Sequence, residues 1–326
     1  MDQLIKFMFE GLPVRGMLVR LSGSWREAMS RRASASDGGH AFAPEVRALL
    51  GEMAAAGVLM QGNLKFNGAL VLQVQGDGPV KLAVAETRSD FGFRVTAKVT
   101  GEVPAGAGLA ALVNVHGQGR CAITLDPQDR LPGQQPYQGV VPLHGDQREP
   151  LQQLSQVLEH YMLQSEQLDT RLVLAANDEV AAGLLIQRLP IEGGVQSSGG
   201  VAYSPDEAHI GANEDFQRIA MLAATLTSEE LLALAPEQVL HRLFWEETLR
   251  VFEPLTPQFK CSCSRERVAG MLTSLGAEEV HGIIAERGEV EVGCDFCGAQ
   301  YRFDAVDVGE LFTPGRESPP SSSQVQ

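Results

Sequence analysis

Four cysteines near the end of the chain constrain its fold more than any other feature of the sequence. Cys261 and Cys263 are separated by one residue, Cys294 and Cys297 by two, and 30 residues lie between the two pairs. Two short pairs joined by a long loop can bring four sulfurs to the corners of a tetrahedron, the geometry and ligand type that Zn²⁺ prefers. The spacing therefore predicts one zinc ion bound by these four cysteines.

Other sites built on the same cysteines are less favoured. Ligand type alone leaves an iron–sulfur cluster open. A catalytic zinc is disfavoured because a four-sulfur site has no open position for water or substrate. A zinc ribbon that binds nucleic acid fits the spacing, but residues 260–310 carry ten acidic and five basic side chains, which repel phosphates. His281, between the pairs, could replace one sulfur, although four sulfurs already complete the site.

The residues leave two roles open for the metal. Zinc keeps its cysteine ligands deprotonated, and the thiolate is the form that oxidants attack, so an exposed tetrathiolate can act as a redox sensor. An inert structural zinc is the alternative. A segment of about 50 residues usually needs a metal or another staple to fold. We therefore expect metal removal to unfold residues 259–312.

Charge and hydropathy limit the partners and the compartment. The chain has 326 residues, enough for about two domains, and a net charge of −15. This charge disfavours nucleic acid and anionic membranes as partners. The first residues do not form a signal peptide, and the apolar run 53–60 is too short to span a bilayer, so we expect a cytoplasmic protein. The fifth cysteine, Cys121, is predicted to be a buried core thiol.

The first 200 residues mix helical and strand patterns. Val46, Leu49, Leu50 and Met53 recur at helical spacing after Pro44. Strand patterns follow at residues 70–74, 80–84, 95–99, 171–176 and 181–189, with hairpin turns between 74 and 80 and between 176 and 181. A second helical pattern lies at 151–161. Because these patterns do not alternate as regular βαβ units, they predict an α+β fold.

The remaining chain divides by composition. We predict an α+β core domain at 1–204, which ends in a flexible Gly/Ser-rich segment at 192–200, and a helical linker at 205–258. In the linker, Thr227 and Glu230 form a capping-box pattern and Pro236 can open a helix. Its apolar positions up to Trp245 are predicted to pack on the core. A zinc-binding domain at 259–312 and a disordered tail at 313–326 complete the chain.

Several segments resemble one protein family. Around the cysteines the sequence reads FKCSCSRER at 259–267 and CDFCG at 294–298, and further matching segments lie at 9–16, 75–79, 137–141 and 165–168. In this order they resemble the bacterial 33 kDa chaperonin family, the redox-regulated heat-shock holdases. The resemblance extends over nearly the whole chain.

The resemblance implies a mechanism. The reduced protein would hold zinc and be inactive. Peroxide or hypochlorite, with heat, would form the disulfides Cys261–Cys263 and Cys294–Cys297, release zinc and unfold this redox-switch domain with the linker. The exposed protein, as a homodimer when activated, would bind unfolding client proteins without ATP and pass them to ATP-dependent folding chaperones. The family is one of chaperones rather than enzymes, so no catalytic residue is expected.

Two other functions remain open at this point. The chain could be a zinc-bearing regulatory or binding protein without chaperone activity. It could also be a thiol oxidoreductase that uses Cys294 and Cys297, which would have to act without the βαβ context of thioredoxins. If the holdase reading holds, we expect the linker helices to be stable only while docked, because short helices draw most of their stability from tertiary packing. Zinc loss would then uncover Leu240, Leu243, Phe244 and Trp245.

Overall fold

The computed structural model describes residues 1–33, 41–64, 66–130, 133–189 and 205–313, excluding the side chains of 205–212. In chain order the strands are β1 (Gln3–Phe9), β2 (Val14–Leu21), β3 (Gly68–Gln75), β4 (Val80–Arg88), β5 (Gly92–Val99), β6 (Arg120–Pro127), β7 (Tyr137–Pro142), β8 (Thr170–Ala176), β9 (Ala181–Arg188), β10 (Leu249–Val251), β11 (Gln258–Phe259), β12 (Val290–Gly293) and β13 (Gln300–Phe303). The helices are α1 (Gly23–Ala33), α2 (Pro44–Asn63), α3 (Leu109–Val113), α4 (Leu154–Glu166), α5 (Pro205–Ala224), α6 (Ser228–Ala233), α7 (Pro236–Phe244), α8 (Arg265–Leu275), α9 (Ala277–Arg287) and α10 (Ala305–Leu311).

Two sheets form the body of the protein. The first sheet has the order β10-β1-β2-β9-β8, and the second sheet has the order β11-β5-β4-β3-β6-β7. Neighbouring strands are antiparallel except β11, which lies parallel to β5. The predicted hairpins β3–β4 and β8–β9 are present. Strands and helices do not alternate in βαβ units, so the α+β prediction is confirmed.

Helix α2 lies between the two sheets and contacts strands of both. A helix surrounded by protein must be apolar on all sides, and the buried run from Met53 to Met60 meets this requirement. Small residues allow the close approach: a Cβ at Gly57 would lie 2.7 Å from Oγ1 of Thr87 on β4. One carboxyl is enclosed with this helix, since burial raises the pKa of Glu52 to about 7.

Helices α5, α6 and α7 pack on the face of the first sheet that points away from α2. The ring of Phe244 lies edge-on to Phe9 at 5.0 Å between centroids and also contacts Phe7. The predicted capping box is present at the start of α6, where Thr227 Oγ1 accepts from the Glu230 N–H and the Glu230 carboxylate accepts from the Thr227 N–H. Pro236 opens α7 as predicted.

Three expectations for these regions need correction or fall outside the structure. Trp245 was expected in the buried face, but 69% of its surface is exposed, because it continues the helical turn and lies outside the buried stripe of Leu240, Leu243 and Phe244. The predicted helix at 151–161 begins only at Leu154, after the N-cap Gln153, while the N–H of Leu151 bonds to the Leu143 carbonyl. The predicted flexible segment at 192–200 and the tail beyond 313 lie outside the described residues.

Residues 249–260, which we call the strap, join the edges of the two sheets. Strand β10 pairs with β1, and Leu255 then exchanges backbone hydrogen bonds of 2.8 and 2.9 Å with Leu4. Strand β11 adds to β5, where the N–H of Lys260 donates to the Phe93 carbonyl at 2.9 Å. The region predicted as a helical linker therefore also contains two short strands. Its helices lie on the first sheet, whereas the strap delivers the cysteines to the second.

Candidate metal centre

The four C-terminal cysteines converge at one point. All four sulfurs lie within 4.8 Å of one another. The Sγ–Sγ distances are 3.4 Å from Cys261 to Cys263, 3.6 Å from Cys261 to Cys294 and 3.3 Å from Cys263 to Cys297. A tetrahedron with Zn–S bonds of about 2.3 Å has sulfurs about 3.8 Å apart. The cluster therefore matches the dimensions of a tetrathiolate metal site.

Two backbone segments position these sulfurs. Cys261 and Cys263 follow β11 at the end of the strap, and the 294–297 turn connects β12 with β13. The turn is closed by two backbone hydrogen bonds, from Cys294 N–H to the Ala299 carbonyl at 2.9 Å and from Gly298 N–H to the Cys294 carbonyl at 2.8 Å. Gly298 has φ +71°, a conformation that glycine adopts without strain. Gly298 therefore closes the turn without backbone strain.

Backbone N–H groups point at the sulfurs. The N–H of Cys263 donates to Cys261, those of Phe296 and Cys297 donate to Cys294, and that of Ala299 donates to Cys297. Hydrogen bonds of this kind favour the charged thiolate. The turn is therefore arranged to hold deprotonated sulfur, the form in which cysteine binds a metal.

The thiols also interact strongly with one another. The hydrogen bond with Cys294 lowers the pKa of the Cys261 thiol, and the same bond raises the pKa of Cys294. Burial raises the pKa of Cys297 to about 11. Neighbouring thiolates repel, so full deprotonation of the group requires a cation among the sulfurs. A divalent metal that prefers sulfur ligands satisfies this requirement.

The cysteines lie between a small domain and the body of the protein. Cys297 is buried and the other three are partly buried against the core cluster that surrounds α2. The domain that follows has its own core, in which the buried residues are Leu272, Val280, Val290, Phe303 and Val308. A core this small contributes little stability, and the sulfur cluster adds a link between the segments 261–263 and 294–297, beside the ion pair of Arg265 with Asp307 at 2.8 Å.

Strand β5 of the second sheet contacts the 294–297 turn directly. The guanidinium of Arg94 lies 4.1 Å from the ring centroid of Phe296 and forms an ion pair with Glu86 on β4. Thr96 Oγ1 donates to the carbonyl of Asp295 at 2.8 Å. Sequence reasoning did not identify these residues, because they lie about 200 positions before the turn and carry no local metal-site pattern.

The pKa of Arg94 reflects its position beside the cluster. Burial alone lowers it, but the ion pair with Glu86 and attraction to the Cys261 sulfur outweigh burial and raise it. Its Nε is buried without a hydrogen-bond partner among the described residues. Arg94 therefore stays charged and lies beside the Cys261 sulfur.

Two other residues considered from the sequence lie outside the cluster. His281 is on α9, where its Nδ1 contacts the Ala277 carbonyl at 2.7 Å and its ring packs near Phe312. Cys121 is on β6, has no exposed surface and belongs to the core around α2. Burial raises the pKa of Cys121 to about 12, so it is an unreactive thiol.

No helix in the part of the chain that the structure describes is long and apolar enough to cross a membrane. A family model described as "Hsp33 protein" matches residues 2–304.

Curated relatives match almost end to end. The 33 kDa chaperonin of Chromobacterium violaceum is 47% identical over 95% of this chain and 94% of its own length. The 33 kDa chaperonin of Neisseria meningitidis is 43% identical over 95% of this chain and 91% of its own length. A solved structure, the 33 kDa chaperonin of Thermotoga maritima, aligns with a TM-score of 0.73 at 24% identity and covers 95% of this chain and 97% of that one. At this identity the structural match supports the fold.

Proposed function

The chain belongs to the Hsp33 protein family, and on this basis we propose that it is a redox-regulated, ATP-independent holdase whose switch is a zinc tetrathiolate. A chaperone role follows from the family. The observation that carries the regulatory part is the cluster of four sulfurs within 4.8 Å, which joins the two halves of a domain with a small core.

The proposed ligands of the zinc ion are Cys261, Cys263, Cys294 and Cys297. Their distances fit tetrahedral Zn–S geometry, and backbone N–H groups stabilise three of the sulfurs as thiolates. When bound, zinc supplies a divalent charge that removes thiolate repulsion and contributes on the order of 10 kcal/mol to folding of such a domain. X-ray absorption of the reduced protein is expected to show four sulfur neighbours.

Oxidation would remove this ligand set. Two thiolates of one pair reduce one molecule of hydrogen peroxide, so that one S–S bond forms, the O–O bond breaks and two hydroxide ions leave. We propose the bridges Cys261–Cys263 and Cys294–Cys297, as the family resemblance implies. The reduced geometry does not by itself select them, because the cross-pair distance from Cys263 to Cys297, 3.3 Å, is as short as the 3.4 Å from Cys261 to Cys263.

Loss of the ligand set would unfold the switch domain, since a core of this size contributes little stability by itself. We propose a core at 1–204, a linker at 205–258, a switch domain at 259–312 and a tail at 313–326. The strap couples the linker to the switch domain, because residues 249–260 hydrogen-bond to both sheets before they reach Cys261. Release of β11 from β5 would loosen the strap and, through β10, the edge of the sheet on which α5 to α7 pack.

The uncovered surfaces would bind unfolding proteins by apolar contact. The faces concerned are the buried sides of α5 to α7 and the sheet beneath them, which include Phe7, Phe9 and Phe244. Transfer of the clients to ATP-dependent folding chaperones, a homodimeric active form and a cytoplasmic location are further parts of the proposal. The acidic net charge of −15 is consistent with protein clients and disfavours nucleic acid and anionic membranes as partners.

An aggregation assay tests the proposal. A thermally or chemically unfolding client is followed by light scattering with reduced, zinc-loaded protein and with peroxide-treated protein, both without ATP. We expect suppression only after oxidation, at near-stoichiometric ratios. Equal suppression in both states would refute redox control. Catalytic turnover of disulfides without suppression would identify a thiol oxidoreductase instead.

A further inference from the structure

Arg94 is the point at which the core domain touches the metal-binding turn. Its guanidinium lies over the ring of Phe296, which is one of the two residues between Cys294 and Cys297. At 4.1 Å from the ring centroid, the contact is within the range in which a cation and an aromatic face attract. Only 18% of the Arg94 side chain is exposed, so water screens the attraction weakly.

The second intervening residue is held by the same strand. Thr96, two positions further along β5 and therefore on the same face, donates a hydrogen bond of 2.8 Å to the Asp295 carbonyl. Behind Arg94, the carboxylate of Glu86 on β4 fixes the guanidinium; the two residues are direct cross-strand partners. The chain of contacts runs from β4 through β5 to both residues that connect the second pair of cysteines.

We propose that Arg94 is a positioning residue that docks the 294–297 turn on the second sheet and thereby sets the oxidant concentration at which the cluster responds. This inference rests on the proposed function. The docked turn shields Cys297, which is 8% exposed, from solvent. The positive charge beside the cluster also withdraws electron density from the sulfurs, so they attack peroxide more slowly. Loss of the contact would both expose Cys297 and make the sulfurs more reactive, so each effect lowers the oxidant concentration at which the cluster responds.

The test measures zinc release from the full-length, reduced, zinc-loaded protein at a fixed hydrogen peroxide concentration, with a chromogenic zinc chelator. Arg94→Met removes the charge and keeps most of the volume. Phe296→Leu removes the ring and leaves the Arg94–Glu86 pair intact. Each is expected to accelerate release about five- to thirty-fold, the change in docking equilibrium that a half-buried cation–π contact provides. The double variant is expected to match the faster single variant, because both substitutions remove one contact.

Arg94→Lys should restore part of the wild-type rate, since it keeps the charge over the ring but loses the fork that Glu86 orients. Arg302→Met is the matched control: it removes one exposed arginine of the domain that carries the cysteines, which pairs with Glu291 at 2.7 Å. A purely structural role for Arg94 would lower the unfolding temperature of the core without charge-dependent rescue of the release rate.

The outcomes separate this inference from the function on which it rests. Wild-type rates in Arg94→Met and Phe296→Leu, or acceleration by Arg302→Met of equal size, overturn it while the holdase proposal stands. If Arg94→Met does not fold because Glu86 is left unpaired, the rate of Phe296→Leu decides alone. A wild-type protein that releases no zinc with peroxide refutes the proposed function and this inference together.

Discussion

Truncation of Phe244 tests whether uncovering the first sheet is sufficient for activity. The Phe244 side chain is 2% exposed and packs against Phe7 and Phe9. Replacing a buried phenylalanine by alanine typically costs about 3–5 kcal/mol. The loss falls on α7, a helix of nine residues that depends on packing for its stability. We therefore expect Phe244→Ala to raise the undocked population of this helix roughly 150- to 5,000-fold.

Hydrogen exchange of the reduced, zinc-loaded variant measures this directly. Amides of residues 236–244 are expected to exchange faster by about the same factor, while amides of β3 to β5 in the second sheet keep their wild-type protection. In the aggregation assay the reduced variant is expected to suppress client aggregation partly, without peroxide. The zinc content of the variant should remain one ion per chain, because the cysteines lie on the other sheet.

The neighbouring residue provides the control. Trp245 is larger than Phe244 but 69% exposed, so Trp245→Ala should change stability by no more than about 0.5 kcal/mol and leave exchange and client binding unchanged. Unchanged protection of 236–244 in Phe244→Ala would show that packing on the sheet does not hold α7. Faster exchange without any suppression of aggregation would show that this surface does not bind clients.

Three further predictions follow from the structure. After peroxide treatment, peptide mapping is expected to find bridges within each short cysteine pair, and a majority of cross-pair bridges would contradict the proposed pairing. Cys121→Ala should release zinc and activate like wild type, because the thiol is buried in the core; failure to activate would make Cys121 part of the switch. Burial raises the pKa of Glu52 to about 7, above about 4.3 in the unfolded chain, so its contribution to stability is full below pH 4.3 and is lost as pH rises through 7. Glu52→Gln should therefore raise the unfolding temperature at pH 8 and not at pH 4, and an equal effect at both values would exclude ionisation as the cause.

Local patterns predicted the elements that local chemistry determines. The cysteine spacing was sufficient to predict the cluster, because a separation of one or two residues keeps the two sulfurs of each pair close together. The hairpins β3–β4 and β8–β9 and the capping box at Thr227 were predicted for the same reason. Helix α2 was recognised from its apolar spacing at the N-terminal end, but a helix that is apolar on all sides gives no indication of what surrounds it.

Elements that depend on distant partners were not predicted. Strands β10 and β11 are three and two residues long and exist because β1 and β5 offer free edges. Arg94 acquires its role only when the fold brings Phe296 to it. For the two strands and for Arg94, tertiary contacts decide the outcome, and sequence spacing contains no record of them. Trp245 is a different case: it was placed in the buried face because it is apolar and follows Phe244, although helical spacing from Leu240 puts positions 243 and 244, and not 245, on that face.

The order of strands in the first sheet has a consequence for synthesis on the ribosome. The second sheet takes β3 to β7 from one continuous stretch, so most of it can pair while the chain is still growing. The first sheet places β1 and β2 beside β9 and β10, which are translated much later. Until then the apolar face of the N-terminal hairpin opposite α2, which includes Phe7 and Phe9, has no partner, and such surfaces aggregate readily. Slow elongation or early termination beyond the second sheet would leave the nascent chain with exposed apolar surface. This is the feature by which the finished protein is proposed to bind unfolding clients.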